Sequence, residues 1–247
     1  MQYAEIPLPA LDGLVKTLWT LRCDGEPDAV VEHDATPDGC LEVIRRLDGR
    51  SSWGRAQPAA FVAGLIDRPA RLSFSGDAAF VGLRLWPWAW HALGGRPCSG
   101  FVNDWIALEE AGLPADLAVL FAMLEADPGP ALSDRLAAAL DDGALAAMGR
   151  SILGATTVAA LAARSGLTMR GLQRWFRRHV GIAPRTYLRL LRFQETLVTI
   201  QTEPAVLADQ AALHGYADQP HMARDFRALA GRAPRSARKR ARGPFVQ

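Results

Sequence analysis

The chain has 247 residues, room for two domains, with 49% hydrophobic residues and a net charge of only +2. That sum hides a split: residues 151–247 hold sixteen Lys and Arg against five Asp and Glu, a net +11, which leaves residues 1–150 at −9. Three cysteines without CxxC spacing argue against a disulfide framework or zinc ribbon, no apolar run approaches the ~20 residues of a membrane span, and the opening MQYAEIPLPALDG is not a signal peptide, so a cytoplasmic protein with a basic half suited to nucleic acid is expected.

The first hundred residues read as short strands. LVKTLWTL, AVVEHDA, LEVIRRL, AFVAGLI, ARLSFSG and AFVGLRLW are rich in β-branched and aromatic residues. Turn formers separate them: DGEPD, TPDG, DGRSSWG, DRP and SGD. The alternation Leu72, Phe74 and then Phe80, Gly82, Arg84 is partial, so barrel and sandwich both stay open. The most apolar stretch, FVGLRLWPWAWHAL, is broken by Arg84 and Pro87. Six of the seven tryptophans lie in this half, and aromatic residues serve both ligand pockets and cores. Trp19 and Trp86, on predicted strands, and Trp53, in a predicted loop, are the candidate ligand-contacting residues. Cys40, after the Pro37-Asp38-Gly39 turn, is a further candidate: a ligand contact, a redox or electrophile sensor, or simply a buried small hydrophobe. His33 and His91 are far apart and no H-x-H occurs; with Cys23, Cys40 and Cys98 they match no metal-ligand spacing, so no metal is expected.

From about Pro114 the period changes to 3.6. ADLAVLFAMLEAD and ALSDRLAAALDDGALAAMGRSIL read as connector helices separated by Asp127-Pro128-Gly129-Pro130, with apolar faces buried in the chain or against a second copy.

After Gly154 everything reads as helix. Thr157 caps VAALAARSG, where Val158, Leu161 and Ala162 share a face, and Ser165-Gly166 ends the turn. Thr168 caps MRGLQRWFRRHV, in which Leu172, Phe176 and Val180 face inward while Arg170, Gln173, Arg174 and Arg177 face outward. This is a helix-turn-helix pattern. An outward Arg or Gln can read guanine or adenine in the major groove, and Arg178 would meet phosphate. A second copy follows about fifty residues later: Arg174, Phe176, Gly181, Pro184 and Arg185 recur as Arg224, Phe226, Gly231, Pro234 and Arg235. There Asp218 caps, Pro220 sits in the first turn, Met222 and Phe226 point inward, and Gln219, His221, Arg224 and Arg227 point outward. Between the copies RTYLRLLRFQETLVTIQ, closed by Glu203-Pro204, predicts a helix with Leu188, Leu191, Glu195 and Val198 along one side and Leu190 and Leu197 flanking. A helix of this length spans roughly 25 Å, the right order to set two recognition helices in adjacent grooves of one DNA face.

Residues 151–240, on the motifs VAALAARSGLTMRGLQRWFRRHVGIAPRTYLRLLR and HGYADQPHMARDFRALAGRAP, resemble the DNA-binding domain of the AraC/XylS family of bacterial transcription regulators. The resemblance places base reading on Arg170, Gln173 and Arg174 in the first unit and on Gln219, Pro220 and Arg224 in the second. Pro220 departs from the pattern because it carries no side-chain donor, which shifts the second unit towards backbone contacts. In the TPDGCLEVI and ARLSFSG…FVGLRLWP segments, residues 1–105 look like one of the family's less characterised effector domains, implying a cupin-like barrel without enzymatic chemistry.

The expected organisation is α+β and multidomain: a β-rich barrel-like sensor domain (1–110), a helical connector with a possible dimerisation role (111–150), an all-α double helix-turn-helix domain (151–240) and a basic tail (241–247). Expected partners are double-stranded promoter DNA, a small-molecule effector, a second copy of the chain and, for an activator, RNA polymerase. No cofactor or membrane partner is expected. The alternatives are a cysteine-based alkylation or redox sensor coupled to DNA binding, and an enzyme with an appended DNA module.

Overall fold

A computed structural model describes residues 1–125, 129–140, 143–202 and 206–239. Ten strands form in chain order: β1 Gln2–Ile6, β2 Val15–Arg22, β3 Val30–Ala35, β4 Leu41–Asp48, β5 Ser51–Trp53, β6 Arg55–Ala56, β7 Ala60–Ala63, β8 Ala70–Ser75, β9 Ala79–Leu85 and β10 Trp105–Ala107. They make a six-stranded sheet, β1-β2-β9-β4-β7-β10, and a four-stranded sheet, β3-β8-β5-β6, with antiparallel pairing throughout. The six strands expected from the sequence are present; β1, β5, β6 and β10 were not foreseen, being short or polar. Trp53, expected in a loop, ends β5, and Trp86, expected on a strand, lies one residue beyond β9.

The large sheet is covered on both faces. Trp19, Leu21, Ile44, Phe61, Phe80 and Trp105 point towards the small sheet and meet Phe74 of β8. Leu18, Val43, Val62, Val81, Leu83 and Leu85 point the other way, into a core shared with the helices. All seven residues of β9 are buried. A strand wetted on one face alternates; one buried on both reads as an apolar run, which is why the alternation in AFVGLRL was partial. At Gly82, opposite Trp19 in the β2–β9 register, a Cβ would run into the Trp19 indole. Glycine is what lets that ring lie flat across the central strand.

The helices are α1 Pro87–Ala92, α2 Ala115–Ala122, α3 Gly129–Ala139, α4 Gly143–Leu153, α5 Val158–Ser165, α6 Met169–His179, α7 Pro184–Thr202, α8 Leu207–Leu213, α9 Gln219–Ala230 and α10 Pro234–Lys239. The segment read as ALSDRLAAALDDGALAAMGRSIL is two helices, α3 and α4, and α10 lies at the end of the 151–240 domain. The linkers at Asp127-Pro128 and Glu203-Pro204 and the tail 241–247 lie outside the described residues. Of the two burial options left open for the connector, the inner one holds: Leu117, Phe121, Leu136 and Ile152 join the main core. On α7 the expected stripe is displaced. Glu195 is exposed and Val198 is 39% exposed, whereas Tyr187, Leu190, Phe193, Leu197 and Ile200 are essentially fully buried. The i, i+3, i+7, i+10 row from Leu190 is the one that faces the core, because α7 packs against α5, α6, α8, α9 and α10 together.

Candidate DNA interface and effector cavity

The first helix-turn-helix unit is α5 and α6. The Thr157 hydroxyl accepts the Ala160 amide at 3.1 Å, and the Thr168 hydroxyl accepts the Gly171 amide at 3.1 Å. Gly166 ends α5 at φ +66°, a left-handed turn residue. Leu172, Phe176 and Val180 are 0% exposed. Arg170, Gln173, Arg174, Arg177 and Arg178 are all exposed. Arg178 departs from a purely outward role: its Nε donates to Nε2 of His91 on α1, at 3.4 Å.

The second unit is α8 and α9. Asp218 Oδ1 accepts the His221 amide at 2.6 Å, and Pro220 occupies the first turn. Met222 and Phe226 are 0% exposed, while Gln219, Arg224 and Arg227 are exposed. His221 is half-buried, its ring edge-on to Tyr216 at 5.3 Å, so it packs back on its own unit. Asp225 is buried and paired with Arg189 of α7 at 2.8 Å. Gln210 of α8 is also buried, and its Oε1 has no hydrogen-bond partner among the described residues.

Three of the four candidate ligand residues come together. Trp19, Trp53 and Cys40 line one cavity of about 90 Å³ between the sheets, with Phe61, Phe74 and Phe80 completing its aromatic wall. Trp86 is not among them. It stacks on Trp88 at 5.6 Å, on the helical side of the large sheet.

The polar wall of the cavity went unforeseen: Thr36, Asp38, Glu42 and Arg84. Arg84, 4% exposed, sits directly opposite Glu42 in the β4–β9 register. Its Nε donates to Glu42 at 2.5 Å and lies 3.2 Å from Asp38; its Nη1 lies 3.3 Å from Glu5. Burial opposes the Arg84 charge, but Glu42 and Asp38 outweigh it and hold the guanidinium firmly protonated. Burial raises the Glu42 carboxyl above its ordinary range, with Arg84 pulling it back down. Burial likewise pushes the Cys40 thiol well up, reinforced by Asp38. The Thr36 hydroxyl is buried without a hydrogen-bond partner among the described residues. The signal for this cluster was Arg84 itself. A cation inside an apolar strand demands a buried counter-ion.

The turn that carries Thr36, Asp38 and Cys40 also touches the helical half. The Tyr187 hydroxyl on α7 donates to the Gly39 carbonyl at 2.7 Å. Gly39 has φ +81°, and a Cβ there would sit 2.9 Å from Leu191 and 3.5 Å from the Tyr187 oxygen. A second seam is aromatic. Trp88 of α1 lies 6.4 Å from Trp175 of α6 and 6.1 Å from Tyr187, and His91 lies 4.6 Å from His179. Sequence reasoning missed these residues because each is an ordinary core candidate until the two halves are brought together.

The three cysteines are buried and outside any disulfide, and no cluster of three His, Cys, Asp or Glu suited to a metal occurs among the described residues. Among those residues no helix is long and apolar enough to cross a membrane.

Two family profiles match. One, described as a helix-turn-helix domain, covers residues 161–240; the other, a domain of unknown function (DUF6597), covers residues 4–107. No curated protein matches the chain. Solved structures similar to it include a probable AraC family transcriptional regulator from Rhodopseudomonas palustris, 25% identical over 41% of this chain and 100% of that one, with a TM-score of 0.35. ToxT from Vibrio cholerae is 8% identical over 96% of this chain and 97% of its own, with a TM-score of 0.44. Unsaturated fatty acid bound ToxT from the same organism is 11% identical over 88% and 91%, with a TM-score of 0.42. The chain thus joins a DUF6597 domain, residues 4–107, to a helix-turn-helix domain of the AraC type, residues 161–240.

Proposed function

We propose that the chain reads promoter DNA sequence-specifically with two recognition helices, α6 and α9, and that a small molecule in the inter-sheet cavity controls this binding. The observation that carries the DNA reading is the division of each helix. Phe176 and Phe226 are fully buried, while the arginines on the opposite faces are open to solvent. Arg170, Gln173, Arg174, Gln219 and Arg224 are assigned to base edges, and Arg177, Arg178 and Arg227 to phosphates. His221 and Pro220 are assigned no base. The 19 residues of α7 span about 28 Å, close to the ~34 Å between successive major-groove segments.

The cavity reading rests on one turn. Residues 36–40 give three side chains to the cavity wall and one carbonyl to Tyr187 of α7, so a ligand that shifts the turn alters a contact with the helix joining both DNA-reading units. Residues 1–110 are accordingly the sensor, 111–150 the connector and 151–240 the reader. A cysteine-sensor role is less well supported: Cys40 is 4% exposed and its raised thiol pKa leaves little thiolate to react.

The test is fluorescence anisotropy with duplexes from the promoter regions neighbouring the gene. Affinity for one duplex should exceed that for a scrambled duplex by at least about 10³-fold, and should fall steeply as salt rises. Equal affinity for both duplexes refutes sequence reading.

A further inference from the structure

We propose that the cavity between the two sheets takes a small organic monocation, an amine on a compact apolar body, bound by Glu42 and Asp38 within the aromatic wall. The proposal rests on the reading of this cavity as the effector site and names its ligand class.

The charge inventory decides the sign. Arg84 is surrounded by Glu5, Asp38 and Glu42, with one guanidinium among three carboxylates. Lys16 lies 3.8 Å from Asp38 and adds one positive charge. With every group ionised, the cluster carries one negative charge in excess. An acid would add another negative charge and would find Nε and Nη1 of Arg84 engaged by protein carboxylates. A neutral ligand would leave the excess uncompensated. A monocation balances it.

Two further features suit an ammonium. Trp19 and Trp53 line the cavity, and indole faces attract cations, most strongly where water is excluded. The Thr36 hydroxyl, 7% exposed and without a partner among the described residues, offers an acceptor to an ammonium N–H. Such unmet buried groups are expensive to leave unpaired, and a ligand that pairs with them recovers that cost.

The ammonium pairs with the Glu42 and Asp38 carboxylates by charge and hydrogen bonding, and no covalent bond changes. The cavity, at about 90 Å³, is smaller than an engineered ~150 Å³ site that takes benzene, so four-carbon probes are suitable.

The experiment titrates the full chain with n-butylamine, n-butanol and butyrate by isothermal calorimetry. n-Butylamine should bind about tenfold or more tighter than n-butanol, the order expected of a desolvated cation–π contact, and butyrate should bind weakest. Glu42→Gln should abolish the preference for the amine. Should that variant fail to fold, Trp53→Leu at the half-buried rim decides: it should weaken n-butylamine and leave n-butanol unchanged. Equal binding of amine and alcohol, tighter binding of butyrate, or undiminished amine binding in the folded variants overturns the ligand class while leaving the effector cavity standing. If none of the three probes binds, the cavity reading falls with it.

Discussion

Replacing Arg84 by Met tests the charged wall of the cavity most directly. The side chain is 4% exposed and holds Glu42 at 2.5 Å, Asp38 at 3.2 Å and Glu5 at 3.3 Å. Met fills much of the same volume, so little of the effect comes from a void. Removing one partner of a buried ion pair costs about 3–5 kcal/mol because the other charge stays behind. Glu5 is more exposed than the other two carboxylates, and solvent screens its share. A loss of about 3 kcal/mol near neutral pH is therefore expected, a large part of a domain's usual ~5–15 kcal/mol. The pH dependence follows from the raised Glu42 carboxyl. Without Arg84, the contact that pulls this group down is gone, and the folded chain holds the proton more tightly than the unfolded chain does. Stability from that difference is fully present below the unfolded value, ~4.3, and is lost as pH rises through the raised folded one. The deficit relative to the parent chain should therefore be smaller at pH 5 than at pH 8. Urea unfolding followed by tryptophan fluorescence at both values measures it. A deficit under about 1 kcal/mol, or one that grows on acidification, refutes the buried-charge argument.

Three other outcomes follow from the same geometry. Arg174→Ala should cost about 1–3 kcal/mol in DNA affinity and flatten the preference among single-base variants of the site, whereas Arg178→Ala should weaken all duplexes alike; uniform losses for both would reverse these roles. Tyr187→Phe should lower stability by about 1–3 kcal/mol by stranding the buried Gly39 carbonyl, with an unchanged urea m-value, and unaltered melting would place no weight on that hydrogen bond. Burial lowers the imidazoles of His91 and His179, and the neighbouring Arg178 lowers both further. Lowered histidines leave stability intact above the unfolded value of ~6.5 and remove it as pH falls below, so the parent chain should lose stability between pH 7 and 5.5 and His179→Phe should lose less; equal slopes would exclude the pair as the source.

The helical half was legible because its information is local. Thr157, Thr168 and Asp218 cap helices through bonds that reach only three residues along the chain, and Gly166 ends its helix within the same short range. Periodicity put Leu172, Phe176, Met222 and Phe226 inside, and the outward arginines followed by exclusion. The stripe on α7 was misplaced because that helix packs against five others, and no single apolar row dominates its pattern.

The N-terminal half was legible only as strands and turns. Trp19, Trp53 and Cys40 were singled out for separate reasons, and nothing in their spacing says that they share one cavity. Trp86 had the same credentials and lies on the other side of the sheet. The residue types and their local periods thus determined most of the elements, the charge division and the exposed arginine faces of α6 and α9. Tertiary pairing alone decided that Glu42 stands opposite Arg84 and that Gly39 meets Tyr187 across 148 residues of chain. Strand register and domain docking are long-range events, settled by which faces can be buried together, and a one-dimensional pattern carries no record of those partners.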